Sequence, residues 1–246
     1  MPRCFQADLH VHTCLSPCAD LTMSPKRIVD NCRAKKIDIV AICDHNSAEN
    51  TKATMNAACN TTLTVIPGME ISSAEEAHVI ALLPTYEAAQ LLQDLVYDNL
   101  ATGENDEDIF GEQLVVNEFD EIEVHNKRLL ISATCLPISN IVDEIHRLGG
   151  IAIASHVDRE VYSIIGQLGF IPEGLPLDAL EISASTTLTE ARKRFPEINA
   201  YPLISSSDAH YLDDIGKATS RFIIEVPSLE EIKKALKGID GRSVAA

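Results

Sequence analysis

The feature that most constrains this 246-residue chain is a rhythm: short apolar, β-branched runs alternate with segments of helical periodicity over most of its length. DIVAICDH (38–45) reads as a buried strand, and it follows SPKRIVDNCRAKKI, where Ser24 can cap a helix and Pro25 can open it. TLTVIPGMEIS (62–72) and HVIALLP (78–84) are further strands. SNIVDEIHRLGG (139–150) reads as a helix ended by glycines, and it feeds the strand IAIASH (151–156). LDALEIS (177–183) and YPLISSSDAH (201–210) repeat the strand theme, with the helical TLTEARKRF between them. RFIIEV (221–226) and SLEEIKKALKG (228–238) follow as strand and helix. Strand, helix and strand in succession imply a mainly parallel sheet covered by helices, because parallel neighbours need a crossover. The length suits one α/β barrel or two smaller units.

Residues 85 to 135 break this rhythm. They hold a helical YEAAQLLQDLVYDNL, an acidic loop GENDEDIFGE, and QLVVNEFDEIEVHNKRLLIS, which alternates like a β-hairpin with HNK near its turn. The stretch reads as an insertion at a barrel rim, within a single domain that spans residues 1–246.

Charge and cysteines narrow the partners. The formal net charge is −17, from 37 acidic and 20 basic residues, which weighs against binding a long nucleic acid through its phosphates. No apolar run reaches membrane-spanning length, and MPRCFQADLH lacks the apolar core of a signal peptide. The seven cysteines are odd in number and scattered, which fits reduced thiols in a cytoplasm. Cys14 and Cys18, four apart in CLSPC, have no second such pair and read as packing residues or bystanders. Nothing in the chain specifies an oligomeric state.

The chemistry gathers at strand ends. In DLHVHTCL an extended segment would aim Asp8, His10 and His12 one way and Leu9 and Val11 the other. Two imidazoles aimed at one spot repel when charged and lose solvation when buried, and a shared cation removes both penalties. Asp44 and His45, Glu70, His156, Asp208 and His210 close the other proposed strands, whereas His78 opens its own. Six of the eight histidines fall in these clusters; His125 and His146 do not and read as structural. The C-terminal rim of a parallel barrel is where ligands collect. Imidazole with carboxylate suits Zn, Mn, Fe or Co, and so many donors imply more than one ion.

The motifs DLHVHT, DHN, GMEIS, HVIALL, ASHVDR and SSSDAH, in that order, resemble the polymerase-and-histidinol-phosphatase (PHP) superfamily over about residues 7 to 84 and 150 to 225. The resemblance implies a distorted (β/α)7 barrel with two or three divalent metal ions at its mouth. By position, His10, His12, Glu70 and Asp208 would bind one ion. Glu70 would bridge to a second that also takes His78 and His156. A third would take Asp20, His45 and His210. Asp20 enters through its spacing of five residues before Pro25, across an altered loop.

The expected activity is metal-assisted hydrolysis of a small phosphate monoester, a nucleotide or another metabolite. Arg159, three residues after His156, would offer its planar fork to phosphate oxygens. Asp44 would orient a neighbouring imidazole or act as a general acid. Tyr211 and Lys217 are further possible substrate contacts. Two rivals share these residues. An amidohydrolase-type C–N hydrolase also begins with H-x-H, but it usually adds a modified bridging lysine that has no counterpart at a strand end here. A regulatory module with a degenerate site would be expected to have lost ligands.

Overall fold

The computed structural model describes residues 1–245. It runs β1 (Arg3–Val11), α1 (Pro25–Ala34), β2 (Ile39–Ile42), α2 (Thr51–Ala58), β3 (Thr64–Ser72), β4 (His78–Leu82), α3 (Tyr86–Asp98), α4 (Glu107–Phe110), β5 (Leu114–Val116) and β6 (Ile122–His125). It continues through α5 (Ile138–Arg147), β7 (Ile151–Ala154), α6 (Ile164–Leu168), β8 (Ala179–Ile182), α7 (Leu188–Arg194), β9 (Leu203–Ser205), β10 (Ser220–Ile224), α8 (Leu229–Lys237) and β11 (Ser243–Ala245). Nine strands form one sheet in the order β11-β10-β1-β2-β3-β4-β7-β8-β9. The sheet curls until it almost closes: a parallel bridge joins Val11 to Ala209, with His12 N donating to Ala209 O at 3.0 Å. The result is the distorted α/β barrel the sequence implies.

Two strands, β4 and β10, depart from the parallel rule: β10 pairs antiparallel with β1 and β11. β4 pairs antiparallel with both β3 and β7, while β1–β2, β2–β3, β7–β8 and β8–β9 are parallel. The β3–β4 turn is short enough for a hairpin, so no crossover is needed there. His78, which opens β4, therefore reaches the rim that its parallel neighbours reach with their last residues.

Period-two alternation then sorts the side chains. Ile66, Ile80, Leu82, Ile151, Ile153, Ala179 and Ile204 share one buried cluster inside the barrel. Met69, Ile71, Val79, Ala81, Ala152, Ala154, Leu180 and Ile182 face outward onto Leu92 and Val96 of α3 and Ile141 and Ile145 of α5. Continuing the inward series to the mouth gives Glu70 on β3 and His78 on β4.

β1 does not obey simple alternation. Its register with β2 slips between Asp8 and Val11. Leu9 packs with Phe5 and Ala7 inside the barrel, while Val11 packs with Ile28 and Val29 of α1 outside it. Asp8 accepts from Ser207 N at 3.0 Å and Gly216 N at 2.8 Å, away from the imidazoles. The bulge re-aims the strand, so His10 and His12 enter the mouth without Asp8.

The 85–135 stretch contains α3, α4 and the β5–β6 hairpin. The hairpin's turn lies at residues 117–121 rather than at HNK, since Glu121 O accepts from Asn117 N at 3.0 Å. Asn46 Nδ2 holds the following segment by donating to Leu130 O and Ser132 O, each at 2.8 Å.

Gly68 lies where β3 passes closest to its neighbours. A Cβ there would meet Ala81 O, Cys43 Sγ and Ile42 O, each at 2.9 Å. Gly68→Ala is expected to destabilise the fold by about 1–3 kcal/mol through overpacking, read as a lower denaturation midpoint in urea.

Candidate metal centre

Glu70 sits at the centre of the mouth, 1% exposed. Its Oε1 lies 3.1 Å from His78 Nδ1, 3.2 Å from His156 Nε2 and 3.4 Å from His10 Nε2. Its Oε2 lies 3.1 Å from His45 Nδ1 and 3.6 Å from His12 Nε2. Asp208 stands opposite, with Oδ1 3.1 Å from His12 Nε2 and 3.3 Å from His10 Nε2. Asp208 and His156 both have left-handed backbones, at φ of 51° and 29°. A non-glycine residue pays for that conformation, and such strain concentrates at functional positions.

The outer atoms of the two β1 imidazoles are tied down. Ser16 Oγ donates to Asp44 Oδ1 at 2.7 Å, so it can accept from His12 Nδ1 at 2.9 Å. His10 Nδ1 donates to Glu181, at 3.0 Å from Oε2. Both protons are thereby drawn to Nδ1, and the two Nε2 atoms are left facing each other at 3.1 Å as acceptors. Buried acceptors aimed at one another and at two carboxylates fit a cation. Glu70 Oε1, His78 Nδ1 and His156 Nδ1 are also buried without a hydrogen-bond partner among the described residues.

Three groups of donor atoms lie within 4.8 Å of one another: His10, His12, Glu70 and Asp208; His45, Glu70 and His78; and His12, His45 and His210. The donor set fits divalent cations bound through nitrogen and oxygen.

In the chain by itself the imidazoles and carboxylates hold one another's charge, and a proton on His10 takes the place a cation would fill. Burial pushes Glu70 up, yet His78, His10 and His156 outweigh it and hold the carboxyl well below its ordinary range. Burial likewise opposes ionisation of Asp208, and His10 and His12 overcome it. His10 is driven down by burial but held well above its usual value by Glu181, Glu70 and Asp208. His12 goes the other way, lowered by burial and by His210 and His45 beside it.

A cavity of about 500 Å³ opens over this cluster, lined by Glu70, His78, His156, Asp208, Arg159 and Tyr162 among others. Arg159 Nη1 pairs with Asp208 Oδ2 at 2.7 Å while the side chain stays 41% exposed. Tyr162 stacks on His78, with ring centroids 5.0 Å apart. Ile131, Ser132 and Ala133, from the end of the 85–135 stretch, form part of one wall.

Of the residues expected from sequence, His10, His12, His45, Glu70, His78, His156, Asp208 and His210 come together. Asp20 does not: its Oδ1 accepts from Thr22 N at 2.8 Å and from Thr22 Oγ1 at 2.5 Å, outside the three donor groups. Asp44 lies beneath the cluster, fully buried, accepting from Thr13 N, Thr13 Oγ1 and Ser16 Oγ. It reaches His12 through Ser16. Tyr211 and Lys217 do not line the cavity; Lys217 pairs with Asp214. His125 stands near Glu107 and Glu112, and His146 bonds Asp178 at 2.8 Å, both away from the mouth.

Sequence reasoning passed over two residues. Glu181, 1% exposed, accepts from His10 Nδ1 and from His156 N at 3.0 Å. Its ALEIS repeats the strand-end pattern of GMEIS, so the rule that found Glu70 would have found it too. Cys18, read as a bystander, lines the cavity beside His45 and His210. Desolvation raises its thiol, but those imidazoles bring it down to about 6.

A barrel mouth that holds so many buried imidazoles and carboxylates in cation-sized groups is a candidate site for divalent cations. The chain belongs to the PHP domain family: residues 8–171 match the PHP domain, and residues 192–238 match the PHP-associated region. It is 28% identical over 112 residues to the uncharacterised protein YqxK of Bacillus subtilis, covering 44% of this chain and 29% of that relative's length. Its fold is similar to that of the lesion-specific endonuclease Q of Pyrococcus furiosus, with a TM-score of 0.75 at 16% identity over 98% of this chain and 58% of the other. The same enzyme is known in complex with a 27-mer duplex bearing an abasic lesion at the active site. A protein of Bifidobacterium adolescentis described as a candidate metal-dependent phosphoesterase matches with a TM-score of 0.58 at 18% identity, over 95% and 96% of the two chains.

Because Glu181 orients His10, Glu181→Gln is expected to weaken zinc binding about ten- to a hundredfold. Competition against a chromophoric chelator measures this, and circular dichroism should be unchanged.

Proposed function

We propose that this chain hydrolyses a small phosphate monoester, with two or three divalent cations of the Zn, Mn or Fe kind held by the buried cluster. The observation that carries this reading is Arg159, a half-exposed guanidinium on the wall of a cavity whose floor is the donor cluster. A planar cation so placed selects an anion, and a fork of parallel N–H groups matches phosphate oxygens. The cavity volume of about 500 Å³ falls within the range for metabolite-sized ligands.

His10, His12, Glu70 and Asp208 hold one ion in this reading. Glu70 would also serve a second with His78 and His156, and His45 and His210 would take part in a third, since the one inward nitrogen of His12 serves the first. When bound, such cations polarise phosphoryl oxygens and lower the pKa of water toward ~7. The protein does the rest. Glu181 and Ser16 keep the β1 imidazoles in the tautomer that points Nε2 inward. Arg159 exchanges its bond to Asp208 for the substrate's phosphate, and Tyr162 narrows the entrance over His78. The 131–133 segment walls off one side and limits the size of the alcohol that can leave.

The endonuclease Q fold suggests a lesion-bearing duplex as a rival substrate. The net charge of −17 and a wall that narrows the mouth favour a compact ester. Among the described residues no lysine lines the cavity, which counts against the C–N hydrolase reading.

Purified protein with measured metal content should be assayed on phosphate monoesters, phosphodiesters, amides and an abasic duplex, with added Mn or Zn. Monoester turnover is expected to dominate. Turnover of the duplex or of amides alone would refute the proposal. The double variant H10A/H12A should lose both bound metal and turnover while keeping its circular-dichroism spectrum. Arg159→Ala is expected to raise KM for phosphorylated substrates about tenfold or more, equivalent to roughly 1.4 kcal/mol, with metal content unchanged.

A further inference from the structure

The three donor groups at the mouth differ in charge. Two of them contain Glu70, and one of those also contains Asp208. The third, His12, His45 and His210, is built of imidazoles alone. The inward nitrogen of His12 already serves the first group, so His45 and His210 alone would leave a divalent cation there without an anionic ligand and short of a tetrahedral set. The family pattern would call on Asp20 here, but its carboxylate is engaged by Thr22. What Asp20 supplies at this site is its backbone: its N–H donates to His210 O at 2.9 Å and pins the loop against the last motif.

That loop brings a different side chain to the vacancy in the set. Cys18 is exposed and lines the cavity together with His45 and His210. The histidines are independent evidence that a cation belongs there, because nitrogens of His12, His45 and His210 lie within 4.8 Å of one another; the His12 ring stacks on His210 with centroids 4.2 Å apart and lies tilted to His45 at 4.6 Å. Cys14 takes no part. It is buried against Leu114 and Val116, with its Sγ 3.7 Å from Leu114 O, so CLSPC is not a paired-thiol motif.

We propose that Cys18 Sγ, in place of the Asp20 carboxylate, joins His45 and His210 as a ligand of the third ion. The proposal rests on the metal-centre reading above. A sulfur ligand makes this site softer than its nitrogen-and-oxygen neighbours, so it selects Zn, Fe(II) or Co over Mn or Mg. The cluster is thus suited to hold unlike metals, with the soft one nearest the loop.

Cobalt(II) substitution tests this without reference to turnover. Cobalt-loaded wild-type protein is expected to show a sulfur-to-cobalt charge-transfer band in the near ultraviolet. Cys18→Ser should abolish the band and lower cobalt content by about one equivalent, while Asp20→Asn leaves both unchanged. Cobalt bound without the band, or a band that survives Cys18→Ser, would overturn the assignment and leave the other two groups standing. Failure of the wild type to bind any cobalt or zinc would instead sink the metal-centre reading itself. Should the serine variant not fold, alkylation of wild-type Cys18, followed by peptide mass spectrometry, decides the matter. Zinc is expected to slow labelling about tenfold and a chelator to restore it; equal rates with and without zinc would overturn the proposal.

Discussion

A carboxylate buried in a barrel mouth must be neutralised or paired, and Glu70 sets that requirement for this whole structure. In water its charge would be solvated; here it is enclosed by protein, where an isolated charge is too costly to keep. Five imidazoles surround it within 3.6 Å: His45, His78, His156, His10 and His12. They come from β1, from the loop after β2, from the start of β4 and from the end of β7. Each of these elements must therefore arrive at the same height of the barrel, and the register of the sheet is what makes them do so.

Two irregularities in the sheet serve that convergence. Reversing β4 costs nothing in hydrogen bonds, because antiparallel ladders pair as well as parallel ones, and it delivers His78 from a strand's beginning. The bulge in β1 switches which residues face inward, so an apolar interior at Phe5, Ala7 and Leu9 gives way to imidazoles at the rim. Below the rim the same inward positions are aliphatic. The barrel is dry at its base and strongly polar at its mouth, which strengthens every electrostatic interaction there.

Much of this was legible in residue order alone, for a physical reason. Continuous apolar runs such as those around Val40 and Ile153 report strands buried on both faces, so strands and their ends could be placed and the donors at those ends read as a cluster. His78 was visible as an anomaly, but only the reversal of β4 explains it. Asp8 was grouped with His10 and His12 because alternation was assumed to be unbroken, and a bulge leaves no mark in a hydrophobic pattern. Glu181 obeyed the same strand-end rule as Glu70 and was passed over. Loops have no period at all, which is why Asp20 and Cys18 could not be ranked from spacing.

Taken alone, the sequence determined the α/β alternation, the family motifs and the chemical types available at the strand ends, since those depend on local burial and on residue identity. Only the tertiary structure decided which of those side chains share a point in space. It assigned Asp44 to a buried support beneath His12, turned Asp20 toward Thr22 and set Cys18 beside His45 and His210. Such distinctions turn on a few ångströms of backbone path, and that path is set by the packing of the whole barrel rather than by any neighbouring residue.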